Sequence, residues 1–99
     1  MSEPVSGAPY IIICSVETEV ALANNQKAQV TAASNGAARL VGWMQSHYPH
    51  YNPVDNQAIS TIQHQLMDWA KGEIELSHEQ VDQKVAALIS EFRVLEDKY

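Results

Sequence analysis

His47 and His50, with Tyr48, Tyr51 and Asp55 close by, are the residues whose types and spacing come nearest to a chemical motif. Imidazole nitrogens and a carboxylate oxygen are good zinc ligands, but zinc takes three or four of them in a tetrahedral set. A histidine pair three residues apart with a nearby aspartate supplies at most three, and no cysteine helps. His64 and His78 lie on other elements. Binding of a ligand or metal by His47, His50 and Asp55 is therefore the alternative reading, with no metal site assigned. The same stretch has a second use. Trp43, His47, Tyr48, His50 and Tyr51 form an aromatic cluster, and tyrosine and tryptophan give large contact areas at small entropic cost, as binding hot spots require. A third reading is purely structural: these side chains fold back over the core with their polar tips in water.

Catalysis finds less support. The chain has no glycine-rich phosphate loop, no nucleophile elbow and no paired-cysteine metal motif. Ser60, Thr61 and His64 fall within about one turn of a helix, where they read as a polar face. Cys14 lies in the apolar run Tyr10 to Val16, where burial would raise its pKa and quiet its reactivity. The expectation is a protein without enzymatic activity or cofactor.

Length and charge narrow the partners. With 99 residues, 45% hydrophobic and 18% charged, the chain suits one folded core rather than a disordered segment. The formal charge of -6 disfavours direct contact with nucleic acid, whose phosphates call for clustered lysines and arginines. The acids, including Glu17, Glu19, Glu73, Glu79, Asp82 and Glu91, form no dense run, so imitation of nucleic acid is only a further, weaker reading, one that would require a contiguous acidic stripe spaced like phosphates. A single cysteine excludes an internal disulfide, and no stretch is long and apolar enough to span a bilayer. Cytoplasmic residence and no membrane association are the expectations.

The elements that must position these residues are mostly helical. Residues 1–8 (MSEPVSGA) have no periodicity and read as a flexible tail, so a single domain is expected over 9–99. Tyr10 to Val16 is β-branched and favours a short strand on propensity, with the first turns of a helix as the alternative. A strand there would need Glu73 to Leu76, or a second copy of the chain, to pair with. Thr18 to Ala33 predicts a helix capped by Thr18 and weakened in its middle by Asn24 and Asn25. Ser34, Asn35 and Gly36 offer a stop, with a continuous helix through them as the alternative, and Ala37 to His47 reads as a helix ended by Pro49. Asn52 or Asp55 caps the next, whose Ile59, Ile62, Leu66 and Trp69 recur at three, four and three before Gly72.

The last helix carries the clearest signals. Ser77 and Gln80 form a capping box, and Val81, Val85, Leu88, Phe92, Leu95 and Tyr99 repeat at four, three, four, three and four. Burying six such side chains contributes on the order of 10 kcal/mol before entropy. The resulting expectation is a mainly α, four-helix bundle-like domain with a C-terminal antiparallel helical hairpin. The function expected of it is that of a small protein-protein interaction module, whether regulator, inhibitor or assembly adaptor. A homodimer covering Ile11, Ile13, Phe92, Leu95 and Tyr99 is part of that expectation.

Overall fold

Asn25 starts the second helix from outside rather than weakening one from within. In the computed structural model, which describes residues 8–99, its side chain accepts a 2.8 Å bond from Ala28 N in extended backbone, an N-cap. The segment expected as one helix from Thr18 is thus divided. Thr18 belongs to the preceding helix, where its hydroxyl donates to Cys14 O at 2.9 Å one turn back. The helices are α1 (Ala8–Leu22), α2 (Gln26–His47), α3 (Gln57–Ala70) and α4 (His78–Lys98), with a 3-10 turn, Pro53–Asn56, leading into α3. Only residue 8 of the expected tail is among the described residues, and it opens α1.

The Tyr10 to Val16 run is helix, not strand. A helix satisfies its backbone groups within the segment, whereas a strand needs a neighbour, and the described residues contain no other strand. Glu73 to Leu76 lies in the irregular link between α3 and α4, with Ile74 exposed and Leu76 packed on the core. Pro9 sits in the first turn of α1, where its missing N–H breaks no helical bond.

Gly36 does not stop a helix either. It lies inside the continuous α2, where a Cβ would fall 2.3 Å from Val16 Cγ2, so its bareness serves the close crossing of α1 and α2. Gly72 does terminate α3, with φ of 81°, and Ser77 and Gln80 make both bonds of the capping box. Asn52 caps the 3-10 turn by accepting from Val54 N at 3.1 Å, whereas Asp55 caps nothing.

Cross-links between elements show that each helix runs against the one before it. Arg39 of α2 reaches Ser15 of α1, Gln63 of α3 bonds Ser34 O of α2 at 2.9 Å, and Lys84 of α4 bonds Gln65 of α3 at 2.8 Å. The up-down-up-down bundle has one core, with Ile13 and Val16 from α1, Leu40 and Met44 from α2, Ile59 and Leu66 from α3, and the α4 seam. That seam corrects part of the expected dimer surface. Ile13, Phe92 and Leu95 are buried within the single chain, in one core to which all four helices contribute. Ile11 and Tyr99 remain exposed. No helix among the described residues is long and apolar enough to cross a membrane.

Candidate functional site

The aromatic loop is built around a residue from the far end of the chain. Pro49 and His50 form the corner of a turn closed by Tyr51 N donating to Tyr48 O at 3.1 Å. That turn sets Tyr48 and Tyr51 on either side of Tyr99, with centroid separations of 5.4 and 5.3 Å and tilted rings. Trp43 extends the cluster, edge-on to Tyr48 at 5.7 Å and stacked on His47 at 4.2 Å. Trp43, Tyr48 and Tyr51 are half-buried against the core, and His47 and His50 are exposed.

Polar tips in this cluster are already engaged. Tyr99 Oη donates to Asp55 Oδ2 at 2.6 Å and accepts from Asn52 N at 3.0 Å. Asp55 Oδ1 also lies 3.4 Å from Lys98 Nζ. The hydrogen bond from Tyr99, then the Lys98 ammonium, holds the Asp55 carboxyl below its ordinary range. Asp55 in return raises the Tyr99 phenol. Tyr51 donates to Asn56 Oδ1 at 3.1 Å, and burial, aided by Tyr99 and Asp55, pushes its phenol up to about 12. The arrangement is a clasp joining the end of α4 to the loop before α3. It turns most of its aromatic area inward.

The ligand set His47, His50 and Asp55 is not assembled. His47 Nδ1 lies 3.0 Å from Trp43 O on its own helix, and Asp55 is held by Tyr99 and Lys98. Among the described residues no group of three or more histidine, cysteine, aspartate or glutamate side chains could hold one metal ion. Ser60 receives Asn56 Nδ2 at 3.4 Å, while Thr61 and His64 face outward. No bond joins a nucleophile to a base among them. Cys14 is half-buried on α1 rather than enclosed.

α1 carries three of the exposed large apolar side chains, with Val54, Met67, Ile74, Val94 and Tyr99 exposed elsewhere. Its core side needs Pro9, Ile13 and Val16, yet Tyr10, Ile11 and Leu22 are 54%, 67% and 76% exposed. A helix apolar around its circumference belongs in an interior. Its only acids, Glu17 and Glu19, meet the only two arginines of the chain. Arg93 of α4 grips both carboxylate oxygens of Glu17 at 2.8 and 3.0 Å and lies 5.6 Å over the Tyr10 ring. Arg39 of α2 stands 3.6 Å from Glu19. Sequence reasoning placed Ile11 on an expected dimer surface but missed Leu22, because Tyr10 to Val16 favoured a strand. The signal was present once the segment is read as helix, since Ile11 and Leu22 are about three turns apart on one side.

No protein-family model, curated protein or solved structure matches this chain.

Proposed function

We propose that this chain is a small interaction module without catalytic activity, and that it engages a protein through the outer face of α1. The observation that carries this reading is the exposure of Ile11 and Leu22 on a helix whose opposite side already fills the core. Isolated apolar residues are ordinary on surfaces, but an apolar helix with a solvated side marks a surface meant to be covered. The aromatic clasp supports the role indirectly, by fixing the end of α4 and the α2–α3 loop as a rigid frame.

A photo-crosslinking amino acid at position 11, compared with one at exposed position 64 on α3, tests the reading in the cell. Protein adducts from position 11 and none from position 64 are expected. Equal yields at both positions, or no adduct at 11, would refute it.

A further inference from the structure

The packing of α2 on α3 leaves a hollow that neither the aromatic clasp nor the α1 face uses. Gln63 Nε2 donates to Ser34 O at 2.9 Å, which ties the two helices together. Beside that tie, Ser34 of α2 and Ala70 of α3 are small, where much of the bundle core packs leucine, isoleucine and methionine. Between them lies a cleft of about 200 Å³, walled by Val30, Met67 and Ala70 and bordered by Thr31, Ser34 and Lys71. A cavity of about 150 Å³ holds benzene, whereas sites for drug-sized molecules begin near 300 Å³. An occupant of this cleft is therefore the size of one ring or a short branched chain. Met67 is unbranched and exposed, a wall that can adapt to its shape.

Two polar groups define the chemistry of that occupant. Ser34 is only 6% exposed, and its Oγ has no hydrogen-bond partner among the described residues. Thr31 is different, since its hydroxyl already donates to Lys27 O at 3.0 Å. A buried hydroxyl left unpaired is rare in a folded chain and calls for an explanation, which a bound acceptor supplies. Lys71 is the only charged residue on the lining, and it takes part in none of the ion pairs among the described residues. An ammonium group has donors and no acceptor, and its bonds to an ionised oxygen are the strong ones. The formal charge of -6 repels an anion at long range, so contacts inside the cleft must outweigh that field and the affinity is modest.

We propose that the cleft between α2 and α3 binds a small carboxylate with a ring-sized apolar body. The body lies against Val30, Met67 and Ala70. The carboxylate accepts from the Lys71 ammonium and from the Ser34 hydroxyl, which rotates about χ1 between staggered wells to meet it. None of these residues is on α1, so this site stands apart from the protein-binding face.

Titration of the full chain with benzoate, followed by amide NMR, tests the site. Saturable shifts centred on Thr31, Ser34, Ala70 and Lys71 are expected, with a dissociation constant on the order of 1 mM. Benzyl alcohol has a similar size without the charge and should bind about threefold more weakly, the effect of one exposed ion pair. Lys71→Gln should bring benzoate down to the same level. Ser34→Ala should weaken benzoate about tenfold while raising the melting temperature, a combination that a damaged fold does not produce. Ala70→Leu fills the cleft and should abolish the shifts. Shifts that do not saturate in the millimolar range, or that centre elsewhere, overturn the proposal and leave the cleft to water. Equal affinity for benzyl alcohol refutes the carboxylate, and unchanged benzoate affinity in Ser34→Ala refutes the role of the buried hydroxyl.

Discussion

Gly36→Ala should destabilise this protein although alanine is the better helix former. The gain from propensity is about 1 kcal/mol in a helix interior. Against it, the new Cβ would lie 2.3 and 2.7 Å from the two methyls of Val16, which is fully buried. A β-branched side chain in a helix has one preferred rotamer and cannot swing aside, so the crossing of α1 and α2 must open. Overpacking of this kind costs about 1–3 kcal/mol, and two contacts this close on a buried branched residue place it near the upper end. The net loss is about 2 kcal/mol, a fall of roughly 8–16 °C in melting temperature for a domain of this size. Val16→Ala alone removes two buried methyl groups and should cost about 2 kcal/mol. Combined, the alanines relieve each other, and the double variant should lose only about 1 kcal/mol, a coupling near 3 kcal/mol. Urea unfolding followed by circular dichroism measures all three. Additive losses, or a Gly36→Ala protein more stable than the parent, would refute the close crossing.

Gly42 has nothing within 4 Å of a would-be Cβ, so Gly42→Ala should raise stability by about 0.5–1 kcal/mol in the same assay; a loss would mean that the site is occupied. Ser34 Oγ is buried without a hydrogen-bond partner among the described residues, so Ser34→Ala should stabilise by about 1 kcal/mol, and destabilisation would reveal a hidden partner. Ser77→Ala removes one bond of the capping box and should cost about 1 kcal/mol, read as a drop of roughly 4–8 °C in melting temperature. Tyr99→Phe should raise the Asp55 pKa in a carboxyl NMR titration, because the 2.6 Å donor is lost. Since the folded-state pKa of Asp55 is depressed, its contribution is present above its ordinary value near 3.9 and fades as pH falls through the lower one; an unshifted titration contradicts the clasp. Tyr51 has a raised pKa, so its contribution is whole below about 10 and lost as pH rises through about 12. Ultraviolet titration of Tyr51→Phe should lack the step near 12.

Reading α4 and its hairpin with α3 required no knowledge of the rest of the fold. The bonds of the capping box between Ser77 and Gln80 are local, and the seam from Val81 to Leu95 is periodic within one segment. The mainly helical class followed from the same periodicity. The candidate site was legible only in part: Trp43, Tyr48 and Tyr51 do cluster, but around Tyr99, a partner some fifty residues away that no local pattern marks.

What the residues determined by themselves, then, is where their own short-range bonds begin and end a helix, as at Ser77, Asn52 and Gly72. Tertiary structure decided what depends on a neighbour from elsewhere in the chain. Tyr10 to Val16 has a composition that suits either strand or helix, and it is helix with α2 and α4 as its packing surfaces rather than a paired strand. Gly36 could equally have ended α2 on its own, and it reads through because Val16 takes the space a side chain would fill. Phe92 and Leu95 look available for a partner until the other helices enclose them in the common core. Propensity differences are fractions of a kcal/mol per residue, whereas burial of one large side chain is worth about 1.5–3 kcal/mol, so packing overrides the local preference wherever the two disagree.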